Sequence, residues 1–241
     1  MNRQVSALTW DQVRDRIAEN APAILPVGAG AKEHGWHMPM ATDAIQAAYL
    51  AAILAERIGG LIWPVVNYGY YPAFNAYAGS ISLSAATFSA VMRELVEGLL
   101  AQGVRTVFVL DTGISTIQPV SAAIAGRAGV HHLRIHAGAR YEAAAQLADQ
   151  AWGGHADELE TSRMLVLAPQ QVDMARAVAH PRTTAMPPGA LHPTDMASPC
   201  WSESGVTGDP TRATLAKGEI LLAAMLDDLT ETARRVLAGR N

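Results

Sequence analysis

The stretch between Leu25 and Asp43 concentrates side chains that could do chemistry. It reads LPVGAGAKEHGWHMPMATD and contains two histidines, two carboxylates and a lysine. The imidazole of His34 and the carboxylate of Asp43 are ligands that together suit zinc, manganese or iron. The spacing of His34 and His37 does not specify a metal site by itself. Two alternatives therefore stay open: Asp43 could cap a helix, and both histidines could be loop residues bonded to backbone.

A second group of ionisable residues occupies the segment WGGHADELETS, residues 152–162. It holds His155, Glu158 and Glu160 between a Gly-Gly turn and the apolar helical run RMLVLA. Acidic residues near a helix N-terminus are stabilised by the helix dipole, so capping is one interpretation of these acids. The other interpretation is that one of them supplies the third ligand that a metal site needs.

Short apolar runs alternate with helical patterns along the chain. Residues 23–27, 61–66, 104–110 and 130–135 (AILPV, LIWPVV, VRTVFVL and VHHLRI) are typical of strands. Helices are predicted at 8–20, 43–57, 84–102, 115–127, 140–151 and 211–239, the last of these with only Gly218 to weaken it. This alternation predicts an α/β fold with a parallel sheet covered by helices on both faces. Polar groups that follow the strands should then collect at one edge of the sheet, where ligands bind in such folds.

Two long segments fit neither periodic pattern. Residues 67–82 are rich in Tyr, Gly and Asn, and could line a substrate pocket or pack against another subunit. Residues 181–210 are rich in loop-forming residues. Cys200 and Trp201 are apolar anchors within that segment, so we expect a loop wrapped over the domain rather than a linker.

Composition narrows the class of protein. The 241-residue chain is half hydrophobic, which predicts one domain over residues 1–241 with an ample core. The formal net charge of −4 without a basic run argues against nucleic acid or an anionic membrane and favours a small-molecule partner. Cys200 is the only cysteine, so neither an internal disulfide nor a thiolate metal site can form. No apolar segment has the length of a membrane span or the form of a signal peptide, so a cytoplasmic location is expected.

Three segments together resemble the creatininase (creatinine amidohydrolase) family: LPVGAGAKEHGWHMPMATD, GGHADELETS and SGVTGDPTRATLAKG. The segment YAGSISLS is also similar to the family's loop before its second helix. The similarity runs from about Leu25 to Leu222. It implies a three-layer α/β/α sandwich with a mostly parallel sheet, a divalent metal at the sheet edge and hydrolysis of an amide or cyclic amide. It also implies a homo-oligomer, commonly a hexamer.

The family's metal motifs are only partly present. His34 and Asp43 match its histidine and the aspartate nine residues later, but Lys32 stands where the family has a metal-binding glutamate. Gly113 stands at the position of a metal-binding histidine, and Ser115 at that of a glutamate found in some members. The positions of Lys32 and Gly113 serve the same one of the family's two metals. The resemblance therefore implies that one metal is lost and the other is kept.

These observations predict a single divalent ion, with zinc as the first choice and iron or manganese as alternatives. Its predicted ligands are His34, Asp43 and Glu160, with Glu158 as the reserve for the third position. Lys32 is predicted to place its ammonium beside Asp43 in place of the lost metal, because unpaired buried charge is costly.

Three further residues complete the predicted site. His155, or alternatively Glu158, is predicted to transfer a proton to the leaving nitrogen. His37 is expected behind the ligands, where it would orient one of them, and Glu33 is placed there as well.

Three functions remain open at this point. The leading one is a metal-dependent hydrolase acting on a C–N bond of a small amide, lactam or imidazolidine-like ring. A second is a creatininase-fold protein without metal or hydrolysis, which binds a ligand or serves in assembly. A third is a metal-free enzyme in which Lys32 acts as a general base or imine-forming amine, because desolvation lowers the pKa of a lysine.

Overall fold

A parallel sheet lies at the centre of the fold. The computed structural model describes residues 2–181 and 189–239. Its four strands are β1 (Ala23–Val27), β2 (Leu61–Ile62), β3 (Val107–Asp111) and β4 (Val130–Arg134). They lie in the order β2-β1-β3-β4, and every neighbouring pair is parallel. The predicted parallel sheet is therefore confirmed, with β1 and β3, whose five residues each are all buried, in the middle.

The helices follow the predicted order. The described residues form α1 (Trp10–Ala18), α2 (Thr42–Ile58), α3 (Ala85–Ala101), α4 (Ile117–Ile124), α5 (Ala139–Ala145), α6 (Glu158–Leu167) and α7 (Leu215–Ala238). Short 3-10 turns lie at Val5–Ala7, Pro72–Phe74, Pro169–Gln171, Met174–Arg176 and Pro210–Arg212.

Some element boundaries differ from the predicted ones for identifiable reasons. Strand β2 is shorter than LIWPVV because Pro64 has no N–H to donate to a neighbouring strand. Helix α5 ends at Ala145 rather than at residue 151, because the chain turns where the Glu158 carboxylate accepts the backbone N–H groups of Asp149 and Gln150.

Two apolar cores separate the sheet from its helical layers. Side chains of a strand alternate between the two faces, so Ile24 and Leu25 point into different cores. The core under α2 and α7 contains Ile24, Leu50, Leu54, Phe108, Leu110, Leu222 and Met225. The core under α3 and α4 contains Leu25, Val27, Phe88, Met92, Val107, Val109 and Val120. This arrangement confirms the three-layer α/β/α class.

Two glycines allow the close backbone contacts that position the site. A Cβ at Gly28 would overlap the Asp43 backbone carbonyl, so glycine lets the loop after β1 pass against the start of α2. A Cβ at Gly218 would overlap the Ser162 carbonyl, so α7 packs directly on α6 at this point. Gly218 lowers the helix propensity of α7, as expected, but the close packing of α7 on α6 requires a glycine at this position.

The two long loops pack on each other. Tyr71, Phe74 and Tyr77 of the Tyr-rich segment are buried in one cluster with Leu191 and Cys200. The prediction of a loop wrapped over the domain is met for residues 189–210, while residues 182–188 lie outside the described part of the chain. No helix among the described residues combines the length and apolarity needed to cross a membrane.

Candidate functional site

Lys32 and Asp43 form a buried ion pair at the C-terminal edge of the sheet. Lys32 lies in the loop after β1, and its Nζ is 2.6 Å from Oδ2 of Asp43 in the first turn of α2. The other carboxylate oxygen of Asp43 is 3.3 Å from His34 Nε2. The N-cap position of α2 is Ala41, so the alternative that Asp43 caps this helix is wrong.

Charge stabilises both members of this pair in their ionised forms. Burial alone would lower the pKa of Lys32, but the carboxylates of Asp43, Glu160 and Glu33 outweigh it and the pKa is raised. Burial would raise the pKa of Asp43, but Lys32 and His34 hold it well below its usual range. The neutral amine that a general base or imine-forming lysine needs is therefore scarce at neutral pH.

A cavity of about 20 Å³ lies against this ion pair, with room for about one water molecule. Gly113 and Ser115 line it beside Lys32 and Asp43. Neither residue brings an imidazole or carboxylate, and the ammonium already neutralises Asp43. Asp111 also lines the cavity, but its carboxylate already accepts from the Thr116 hydroxyl and is paired with His132. The residues present here do not fit a second metal ion.

His34 also belongs to a group of three potential metal ligands. Ligand atoms of His34, His155 and Glu160 all lie within 4.8 Å of one another. His34 Nδ1 is 2.9 Å from the Lys32 carbonyl oxygen, which can only accept a hydrogen bond. Nδ1 therefore carries the proton in the neutral ring. The lone pair of Nε2 then faces Asp43 Oδ1 at 3.3 Å as well as the group, and two acceptors at this distance need a proton or a metal cation near them.

His155 is oriented in the same way from the opposite nitrogen. Its Nε2 is 2.8 Å from the Glu33 carbonyl oxygen and 3.0 Å from Glu33 Oε2, so this nitrogen donates. Nδ1 of the neutral ring then presents its lone pair, 3.9 Å from Glu160 Oε2. Burial lowers the pKa of His155, but the contacts with Glu33 raise it by more, so the pKa lies above its usual value. A proton therefore competes with any metal for Nδ1.

Glu160 is held in place by groups on two helices. Its carboxylate accepts hydrogen bonds from Gln46 Nε2 at 3.1 Å and from the Ala156 N–H at 3.0 Å. Arg163 Nη2 lies 3.8 Å from Glu160 Oε1, and Arg163 Nε donates to Gln46 Oε1 at 2.7 Å. Burial raises the pKa of Glu160, and interactions with His34, His155 and Arg163 lower it to about 2. The carboxylate is therefore ionised and available as a ligand.

The structure brings the predicted ligands His34 and Glu160 together. The third potential ligand beside them is His155 instead of the predicted Asp43, which is paired with Lys32. Glu33 lies behind His155, as expected of a residue that orients a ligand. Sequence reasoning missed Arg163, which was treated as the start of an apolar run; its position three residues after Glu160 was the available signal.

The hydrogen bonds of His37 and Glu158 are made to residues outside the three-ligand group. His37 Nε2 bonds Thr161 Oγ1 at 2.8 Å, and burial lowers the pKa of His37 to about 4. The Glu158 carboxylate accepts from two backbone N–H groups and from Lys217 Nζ. Its predicted roles as proton carrier and reserve ligand do not fit this position, because these contacts tie α6 to α7 instead.

Comparison with known proteins identifies the family of this chain and agrees with the observed fold. The family model for creatinine amidohydrolase matches residues 6–233. A creatinine amidohydrolase from Pseudomonas putida is 27% identical over 252 residues, with 95% of each chain covered. A mycofactocin precursor peptide peptidase from Mycolicibacterium smegmatis is 27% identical over 235 residues, with 90% of this chain and 86% of the relative covered. A solved structure described as "Creatininase Mn" superposes with a TM-score of 0.86 at 28% identity, covering 98% of both chains. The chain therefore belongs to the creatininase family.

Proposed function

We propose that this protein is a hydrolase of amide C–N bonds that holds one divalent metal ion between His34, His155 and Glu160. The observation that carries the proposal is the convergence of lone pairs on one point. Backbone carbonyl groups fix the proton on Nδ1 of His34 and on Nε2 of His155, so the opposite ring nitrogens face the Glu160 carboxylate. Two imidazoles and one carboxylate with an open position suit zinc best, with manganese and iron as alternatives.

The charge of the buried group supports a cation at this point. Three carboxylates and two permanent cations lie around the two histidines, each with at most 13% of its side chain exposed: Glu33, Asp43, Glu160, Lys32 and Arg163. With both histidines neutral, one negative charge remains unbalanced in a buried environment, where unpaired charge is costly.

The chain's own residues prepare the site for hydrolysis. When bound, a divalent ion would acidify a water molecule and polarise an amide carbonyl. Glu33 holds the His155 ring in the coordinating orientation, as carboxylates do behind metal-bound histidines. Gln46 and the Ala156 N–H direct Glu160, and Lys32 keeps Asp43 neutralised beside His34. The relatives are named as a creatinine amidohydrolase and a peptide peptidase. We therefore propose an amide as the bond that is cleaved, without specifying the size of the substrate.

Elemental analysis of purified protein tests the proposal. After growth with added zinc, iron and manganese, we expect about one equivalent of metal per chain. His34→Ala and Glu160→Gln should each lose it, whereas the matched variant Glu158→Gln should keep it because Glu158 is bonded elsewhere. Metal-free wild-type protein from such cultures would refute the one-metal function.

One observation favours a metal-free alternative, in which the chain only binds a ligand. The raised pKa of His155 allows a proton on that ring, and this charge would balance the third carboxylate without an ion. Metal-free protein that still folds would support this second function. A panel of small amides, cyclic amides and short peptides then distinguishes an enzyme from a binding protein.

We extend the proposal to a cytoplasmic homo-oligomer of single-domain subunits that acts on a small molecule. Its support is membership of the family, whose members are commonly homo-oligomers. Light scattering of the purified protein measures the number of subunits directly.

A further inference from the structure

A cavity of about 190 Å³ opens beside Glu160. The ends of β3 and β4 contribute Ile114 and His136 to its lining, and α5 and α6 contribute Tyr141, Glu160 and Arg163. This volume is below the roughly 300–1,000 Å³ of most ligand pockets, so the cavity suits a small molecule or one end of a larger one. Because Glu160 also belongs to the proposed metal site, a molecule bound here lies next to that site.

Arg163 is the cation of this cavity. Among the described residues that line the cavity, it is the only lysine or arginine, and only 2% of its surface is exposed. Nε is committed to Gln46 Oε1 at 2.7 Å, and Nη2 is 3.8 Å from Glu160 Oε1, beyond hydrogen-bond distance. The end of the guanidinium is therefore positioned but not fully paired with a carboxylate.

A chain of hydrogen bonds fixes the side of Arg163 that faces Tyr141. His136 is hydrogen-bonded to the Thr112 backbone, and burial lowers the pKa of His136 to about 4, so the ring is neutral. Its Nδ1, 3.2 Å from the Tyr141 hydroxyl, then accepts the hydroxyl proton. The Tyr141 oxygen is left to accept from Arg163, with which it is hydrogen-bonded. The guanidinium is preorganised by three different elements of the fold.

The two carboxylates that line the cavity with Arg163 interact mainly with other groups. Asp157 accepts from the Glu160 N–H at 3.0 Å and from Gln150 Nε2 at 2.8 Å. Glu160 faces His34 and His155, where a bound metal would take up its charge. With a bound metal taking up the charge of Glu160, Arg163 and Asp157 would be the remaining charged side chains of the cavity, and Arg163 is the one that attracts an anion.

We propose that this cavity binds a carboxylate group of the substrate and that Arg163 is the residue that selects it. This inference rests on the proposed function and deepens it, because the substrate class becomes small amides that also carry a carboxylate. A guanidinium matches a carboxylate with two parallel hydrogen bonds, which a lysine cannot reproduce. A carboxylate bound at Arg163 would place the rest of a small molecule toward Glu160 and the proposed metal.

Succinamate and succinamide form a matched pair of probes, since they differ only in a carboxylate and an isosteric amide. Calorimetric titration of the metal-loaded protein should show roughly ten- to a hundredfold tighter binding of succinamate, the range for a hydrogen bond to a charged group. Arg163→Met should abolish this preference, and Arg163→Lys should retain part of it. Arg57→Met, the same change at a solvent-facing ion pair, should leave the preference unchanged.

Several results would overturn the inference. These are equal affinity of the wild-type protein for both probes, an unchanged preference in a folded Arg163→Met or Arg163→Lys protein, or no binding of succinamate at millimolar concentration. Metal content of the same samples separates this inference from the proposed function. A metal-free wild-type protein with an Arg163-dependent preference refutes the one-metal function alone, whereas a metal-loaded protein without the preference refutes the carboxylate pocket alone.

Discussion

At the scale of single residues, the buried pair of Lys32 and Asp43 is the feature that we propose in place of a second metal. The Lys32 ammonium lies 2.6 Å from Asp43 Oδ2. Both side chains are about nine-tenths buried, so neither charge is well hydrated. A buried pair of this kind adds little net stability over an apolar pair, but removal of one partner leaves the other charge buried and alone.

We therefore expect Lys32→Met to lower the free energy of unfolding by about 3–5 kcal/mol, because Asp43 would lose its nearest cation. Urea unfolding of chelator-treated protein at neutral pH measures this loss without a contribution from metal. Adding Asp43→Asn to the variant should recover part of it, with a coupling energy of about 1–3 kcal/mol in the double-mutant cycle.

Arg14→Met provides the control, because the Arg14–Asp15 pair is exposed and should contribute less than about 1 kcal/mol. A similar small loss for Lys32→Met would contradict the role assigned to the buried ammonium.

At the scale of elements, the contact of α6 with α7 determines where Glu160 lies. Asp157 caps α6 by accepting the Glu160 N–H, so Glu160 is in the first turn of this helix. Ser162, one half-turn further along, has its carbonyl against Gly218 of α7. A change in this helix contact would move the ligand-bearing turn relative to His34.

Gly218→Ala should destabilise the protein by about 1–3 kcal/mol, the usual range for overpacking, because the new methyl group would overlap the Ser162 carbonyl. Gly98→Ala is the matched control, since Gly98 lies in α3 with no atom within 4 Å of the added Cβ. That change should stabilise by about 0.5–1 kcal/mol through helix propensity. Opposite signs in denaturant unfolding are expected, and stabilisation by both changes would show that the α6–α7 contact can relax.

At the scale of the whole molecule, the proposed metal joins segments that are far apart in the chain. His34 follows β1, while His155 and Glu160 come from the α6 region, so the ligand set exists only in the folded protein. An ion that binds the folded chain and not the unfolded chain raises the free energy of unfolding by mass action.

Free zinc at about a hundredfold excess over its Kd should stabilise the protein by about 2.7 kcal/mol. For a chain of this size, the corresponding rise in Tm is about 5–10 °C. Calorimetry with and without a chelator measures it, and His34→Ala should melt at one temperature under both conditions. Identical melting of the wild-type protein in both conditions would argue against a bound ion.

The sequence by itself determined the class of fold and the segments that carry the chemistry, because those signals are local. Strand β1 was predicted at its observed bounds, since a short apolar run followed by glycines is typical of a buried strand. Gly59 ends α2 with a φ of 76°, a conformation that glycine adopts without strain. Ser84 caps α3 by accepting the Thr87 N–H, and serine is a residue type that favours this position.

Only the tertiary structure decided which of these polar groups meet. His155 bonds Glu33, 122 positions earlier, and Arg163 bonds Gln46, 117 positions earlier, and no local pattern encodes either pair. Glu158 and Glu160 are two residues apart on one helix and therefore face different directions, so one joins Lys217 and the other joins the histidines. The helical period makes these two carboxylates diverge, but the packing of α6 between α2 and α7 decided which one faces the site.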